Sequence, residues 1–328
     1  MFELDIDSEA GEQVTQTVTE KLEEIGIAAF CNVSKKHGKY CISLNPCSDK
    51  TAQHLCRFWH SAAPQIENWT FEPFGRPRTE TIPEIIKSLG SDFALSALRF
   101  YLTVDEELEK YELSVTSPLF EKDDSPEDIA MCRLICYLLL GEAFAELYIG
   151  AVHTSATPPQ IADMPELDAA QFTSAVAETP LRLPWTVSYD PTSLCFSYGS
   201  KDVEHDIQRT DIVAGLSRHP QLLAFPFSTS DELRLKGGEF CFLYYDADLS
   251  NKKSNASSLI DRARSLEQLL TEYNIGYVIG HASGNVYNYI DLMLFDEPMF
   301  HSLIPHLENI FGCEFYRGYF SLGNSKIQ

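Results

Sequence analysis

Six side chains of metal-ligating type fall within one short stretch of this chain: His37, Cys41, Cys47, His54, Cys56 and His60. Imidazole and thiolate are the ligands of tetrahedral zinc. Cys41 and Cys47, however, lack a C-x-x-C partner, and the spacings fit no zinc ribbon or finger, so the stretch is read without a metal. Cys56 and His60, and likewise Cys132 and Cys136, stand four apart, the spacing of neighbours on one helical face. The second pair lies amid Ile129, Leu134, Ile135 and Leu138 and reads as core.

Paired carboxylates are the next candidate for chemistry. Asp246 and Asp248 follow one expected strand, Asp291 lies within another, and Asp296 and Glu297 close it. If those strands are neighbours, Asp246 approaches Asp291 or Asp296, a geometry suited to a cation or an acid–base pair. Turn and cap roles explain most of these acids more simply. Asp246, His281 and Asp291 form the candidate ligand site if the protein is an enzyme or a small-ligand binder with a site between domains. No G-x-S-x-G elbow, P-loop, G-x-G-x-x-G cradle or H-E-x-x-H helix occurs. No catalytic residue and no cofactor are therefore assigned. Tyr244, Tyr287, Tyr289, Tyr316 and Tyr319 decorate the C-terminal strands, but an RNA platform also needs basic residues, and Val286 to Phe295 carries none.

The charge argues the same way: 48 acids stand against 25 bases, a formal net charge of −23 over 328 residues. Such a surface repels nucleic acid and anionic lipid and favours a basic protein partner. The acids are concentrated. Asp105, Glu106, Glu107 and Glu109 form one group, and Glu121, Asp123, Asp124, Glu127 and Asp128 another, while no Lys or Arg occurs from Leu134 to Leu181. These surfaces, over 104–128 and 134–178, are the expected partner-binding region. The N-terminus has no basic segment followed by an apolar run, and the apolar stretch Ile129 to Ile149 is broken by Arg133, Glu142 and Glu146. That stretch reads as a buried helix plus strand, not a membrane span. Nine scattered cysteines in apolar surroundings are expected to be reduced core thiols in a cytoplasmic protein.

The elements that position these residues follow a repeated pattern. In the last third, the strand Glu239 to Asp246 leads to a helix over Ser257 to Tyr273, in which Leu259, Ala263, Leu266 and Leu270 recur at helical spacing. Strands Gly276 to His281 and Val286 to Phe295 follow, then a helix from about Pro298 to Phe311 stopped by Gly312, and the strand Cys313 to Phe320. This order is the ferredoxin-like βαββαβ. Phe2 to Asp7, Glu12 to Ile25, the hairpin Ile27 to Leu44, a helix from Asp49 to about Ala62 and Trp69 to Phe74 repeat it. Residues 82–153 repeat most of it again, with a hairpin from Phe93 to Thr116, a helix from Pro126 to Leu140 and a strand from Ala145 to Val152.

The expected fold is therefore α+β, with tandem ferredoxin-like βαββαβ-type units whose antiparallel sheets pack on helices. One unit covers 1–80, and a second covers 81–157 and can share its core. Residues 158–184 form a linker with one helix from Asp168 to Glu178. Residues 185–328 form a C-terminal domain with its core at 237–322, a strand near Leu194 to Tyr198 and a helix near Ile212 to Leu216.

The C-terminal βαββαβ unit resembles the small acidic regulators that inhibit ribonuclease E. It is also similar to uncharacterised bacterial α+β proteins in which such a unit follows another α+β domain. The stretches Trp69-Thr-Phe-Glu-Pro-Phe-Gly-Arg-Pro and Leu138-Leu-Leu-Gly-Glu-Ala-Phe-Ala-Glu-Leu-Tyr-Ile-Gly are similar to their N-terminal domains. The resemblance implies a non-enzymatic, inhibitor- or immunity-like role in which a basic effector is bound. An uncovered sheet face or edge leaves a dimer open as well.

Overall fold

Short strands rich in apolar and aromatic residues build the first sheet of this computed structural model, which describes residues 9–24, 30–36, 38–88, 94–160, 164–185, 190–202 and 209–320. After α1 (Glu9–Glu24), strands β1 (Phe30–Lys36) and β2 (Lys39–Asn45) pair antiparallel with Lys36 opposite Lys39. The tight connection places Gly38 at φ +77°, the left-handed region that short hairpin turns require. After α2 (Lys50–Ser61), β3 (Trp69–Glu72) returns parallel to β2, stacking Trp69 on Tyr40 at 4.9 Å.

The second sheet repeats the arrangement. Past α3 (Ile82–Ser88), β4 (Arg99–Asp105) and β5 (Lys110–Thr116) form a hairpin. Helices α4 (Pro126–Leu140) and α5 (Glu142–Tyr148) then cross over to β6 (Ile149–Ser155), parallel to β5. Ser125 caps α4 by accepting the Asp128 N–H at 3.4 Å, with Pro126 in the first turn where its missing N–H costs nothing. Gly141 stops the helix at φ +79°, and a Cβ there would lie 2.9 Å from Pro77 Cδ. The strand expected from Ala145 begins only at Ile149, because Glu142–Tyr148, with two Ala, two Glu and a Leu, continues as helix.

α6 (Ala169–Ala177) is the helix expected from Asp168 to Glu178, but with α7 (Thr179–Arg182) it belongs to the first compact unit, where a linker was expected over 158–184. Asp168 and Gln171 form a reciprocal capping box. Phe172 and Val176, four apart, are fully buried, and Phe172 stacks on Phe100 at 4.6 Å. The Ala- and Thr-rich composition conceals a two-residue apolar stripe that docks the segment.

The third sheet takes β7 (Phe196–Gly199) and β8 (Ile212–Ser217), then, after α8 (Pro220–Ala224) and α9 (Pro226–Leu235), β9 (Glu239–Asp246). α10 (Lys252–Glu272), β10 (Gly276–Gly284), β11 (Tyr287–Leu294), α11 (Glu297–Phe311) and β12 (Tyr316–Tyr319) complete it. Its order is β12-β9-β11-β10-β8-β7. Counted from β9, the four strands β9–β12 lie in the order 4-1-3-2 of a split βαβ, with β8 and β7 added at one edge. The helix expected near Ile212 to Leu216 is strand β8. Short apolar runs read equally as either element, and pairing with both β7 and β10 decides this one.

Period-two alternation divides the residues of this sheet between its faces. Cys241, Leu243 and Tyr245 of β9 and Ile290, Leu292 and Leu294 of β11 pack with Leu259, Leu266 and Leu270 of α10 and Phe300 and Leu307 of α11. Phe240, Phe242, Tyr289 and Met293 alternate to the opposite face and are buried too. α2 packs on that side, with His54 5.7 Å from Tyr277 and Phe58 4.1 Å from Phe295.

The compact units therefore do not follow chain order. One comprises Met1–Thr19, Ala29–Asp49 and Ala63–Pro191; the other comprises Glu20–Ala28, Lys50–Ala62 and Thr192–Gln328. The two N-terminal units expected from sequence fall together, and α2 leaves them for the C-terminal unit. The fold is α+β, with mixed and antiparallel sheets packed on helices. Among the described residues each sheet of the first unit has three strands, so the four-strand ferredoxin-like order occurs in β9–β12 alone. The expected strand Phe2 to Asp7 lies outside the described residues. No described helix is long and apolar enough to cross a membrane.

Candidate functional site

Five residues of α4 recur at helical spacing along one stripe: Ala130, Arg133, Leu134, Tyr137 and Leu138. Of these only Leu138 is buried along with the core residues Cys132, Ile135, Cys136 and Leu139, and the five together border open space. They form one wall of a half-open cavity of about 530 Å³ in the first unit, a volume typical of small-molecule sites. Ile85 of α3 adds to the apolar wall, and the loops after β2 and β3 close the rest.

A buried carboxylate ties those loops together. Glu142, 3% exposed, accepts the Ser48 N–H at 2.8 Å and the Gly75 N–H at 3.4 Å, while its own N–H donates to the Gly75 carbonyl at 2.9 Å. Asn45 Oδ1 accepts the Cys47 N–H at 3.2 Å, an Asx turn. Cys47 and Ser48 sit at φ 52° and 64°, left-handed backbone that costs a non-glycine residue about 1–3 kcal/mol. Strain of this kind concentrates where a loop serves a ligand.

Three guanidinium groups, Arg76, Arg78 and Arg133, line the same cavity of an otherwise acidic protein. Arg76 is engaged by Glu72 through Nε and Nη2. Arg133 gives one bond to the Gly150 carbonyl at 3.2 Å. Arg78 makes no side-chain hydrogen bond or ion pair among the described residues, and its backbone N–H donates to the Leu138 carbonyl at 2.7 Å. Desolvation and the Glu142 charge push the Cys47 thiol up, with Arg78 acting the other way. Burial likewise pushes the Tyr137 phenol up. Cys47 is thus a thiol at neutral pH, not a thiolate nucleophile. The arrangement can hold an anion.

The candidate ligand site Asp246, His281 and Asp291 is only partly assembled. Asp291 pairs in register with Phe242, and Asp246 with Tyr287, so the two acids stand about 13 Å apart along the sheet. Asp246 is exposed. His281 pairs with Ile290, next to Asp291 in the chain, and burial lowers its pKa while Asp291 opposes the shift.

The group that meets Asp291 is Arg209, which sequence reasoning missed. Nη1 lies 2.9 Å from Asp291 Oδ1, and the two side chains are 0% and 2% exposed. Arg209 also donates to the Tyr198 hydroxyl at 3.0 Å and stacks over Tyr289, Phe242 and Phe320 at 4.9–5.3 Å. Tyr198 lies so close over Gly215 that a Cβ there would meet its ring at 2.5 Å. Tyr289 donates to Asp211, which also accepts the Val286 and Tyr287 N–H groups. Arg209 is fully enclosed, so the cluster holds the sheet and admits no substrate.

The nine acids expected to bind a partner fall in two groups at opposite ends of one strand. Asp105, Glu106, Glu107 and Glu109 lie where β4 turns into β5, whereas Glu121, Asp123, Asp124, Glu127 and Asp128 follow the other end of β5. The seven residues of β5 span about 20 Å. Several of these acids serve local structure. Asp105 accepts the Glu107 and Leu108 N–H groups, and Asp124 accepts the Thr154 N–H at 2.9 Å, which with His153 holds its carboxyl below the usual range. Glu127 accepts from the Ser125 hydroxyl. Of the possible metal ligands, His37 lies outside the described residues, and no group of three His, Cys, Asp or Glu that could hold a metal ion occurs among the described ones.

Comparison of the chain with protein-family models, curated proteins and solved structures finds no match in any of the three. Function is therefore argued from the site alone.

Proposed function

We propose that this is a non-enzymatic binding protein whose first unit takes up a small anionic molecule with an apolar body. The observation that carries the reading is the uncommitted Arg78 guanidinium at a cavity with an apolar wall made by α4. Few convergent polar groups in a largely apolar cavity are the usual composition of a ligand site. Native mass spectrometry of the purified full chain should show a bound small molecule that is lost in Ala130→Trp, which fills the cavity. Equal occupancy in the two proteins would remove the reading.

A second reading is a regulatory, inhibitor- or immunity-like role towards a basic protein partner in a bacterial cytoplasm. The net charge of −23 and the exposure of Glu106, Glu107, Glu121 and Asp123 support it. That no disulfide joins any of the nine cysteines is in keeping with the cytoplasm. Association with such a partner should slow at least tenfold between 50 and 500 mM salt, mainly through the on-rate. A partner captured with a salt-independent on-rate would count against the electrostatic role.

A further inference from the structure

The charge around the cavity restricts what it can hold. Arg76 is neutralised by Glu72, so the available cations are Arg78 and Arg133, against the single buried Glu142 carboxylate. One positive charge is left for a ligand among the lining side chains. Burial chiefly pushes the Tyr137 phenol up, with Glu146 and Glu142 adding to it and Arg133 opposing, and those two carboxylates weigh against a second negative charge on a ligand. The two backbone N–H groups that a phosphate would use, those of Ser48 and Gly75, are already taken by Glu142. A phosphate monoester carries nearly two charges at neutral pH and needs more donors than remain. A carboxylate needs one planar guanidinium fork, which Arg78 has free.

The rest of the ligand is set by the wall. Ile85, Ala130, Leu134 and Leu138 offer hydrocarbon and no donor or acceptor, and each methylene placed there leaves water favourably. Resting on the binding role proposed above, we infer that the ligand is a monocarboxylate amphiphile. Its head is held by Arg78 with Arg133 alongside, and its aliphatic or aromatic body lies along the α4 stripe.

Calorimetric titration of the full chain tests this with hexanoate, octanoate and decanoate, with 4-phenylbutyrate, and with decanol and decyl phosphate as neutral and dianionic controls. Decanoate should bind at least tenfold tighter than decanol and decyl phosphate, and each added methylene should tighten binding about three- to fourfold. The relative affinity of 4-phenylbutyrate and octanoate decides between an aromatic and a straight-chain body. Arg78→Met, which keeps the aliphatic stem, should weaken decanoate at least tenfold and leave decanol unchanged. Decanol equal to decanoate, or decyl phosphate tighter than both, would overturn the ligand class while the cavity remained a binding site. No binding by any compound, or decanoate binding unchanged in Ala130→Trp, would overturn the binding role itself.

Discussion

Arg209→Met is expected to cost the second unit about 3–5 kcal/mol, the penalty for leaving one member of a buried ion pair uncompensated. Asp291 cannot reach solvent, and Arg209 is the cation that offsets the burial pushing its carboxyl up. The stacking on Phe242, Tyr289 and Phe320 would be only partly replaced by the methionine thioether. The double variant Arg209→Met with Asp291→Leu removes both charges and should recover most of the loss, because an apolar pair of similar volume is often as stable as the buried pair. Hydrogen exchange of the β9 and β11 amides, followed by mass spectrometry, reads this locally. If the single variant exchanges as slowly as the parent protein, the pair contributes nothing to the sheet.

The second large effect concerns acid. His54 is fully buried with neither ring nitrogen bonded, and His219 is buried with Nε2 2.9 Å from Thr51 Oγ1 and Nδ1 unbonded. The rings stack at 6.4 Å, and the charged groups acting on them are Lys50, Arg57 and Arg218, all cations. Burial holds His54 well below the usual imidazole value of 6.5 and lowers His219 to about 4. The folded protein therefore keeps both rings neutral, whereas the unfolded chain takes up protons below about pH 6.5. This stability is complete above pH 6.5 and is lost progressively as the pH falls towards 4. His219 alone should cost about 2 kcal/mol at pH 5. Carboxylates add their own acid dependence, so the test is a difference. His219→Gln keeps a hydrogen-bonding group for Thr51 but does not titrate, and it should flatten the fall in α2 amide protection between pH 6.5 and 5. Parallel pH profiles for the parent and variant proteins would show that the imidazole carries none of the effect.

Where regular periodicity meets a single packing face, sequence reasoning works on this chain. The helices Pro126–Leu140 and Glu297–Phe311 have Ser-Pro or Asp-x-Pro starts and glycine stops, which mark local chemistry independent of distant contacts. It fails where tertiary contacts decide. β8 reads as helix until its two neighbours are known, and Phe172 with Val176 reads as linker until their burial is known. The cavity was half legible. Arg133 and Glu142 are conspicuous charges in the apolar stretch Ile129 to Ile149, and such interruptions mark groups that the fold must satisfy or use. Arg78, distant in sequence, carries no such signal. Arg209 was illegible because its partner is Asp291, in a different strand far along the chain, and register alone brings them together.

The exchange of α2 between units has a consequence during synthesis. Residues Lys50 to Cys56 are buried, with His54 against His219 and Tyr277, groups that leave the ribosome long after them. At about 5–20 residues per second, this helix waits roughly 10–50 s before its berth exists. The nascent chain therefore leaves this amphipathic, histidine-bearing helix without its packing partners for that time. For the same reason, a fragment ending before β10 cannot seat α2.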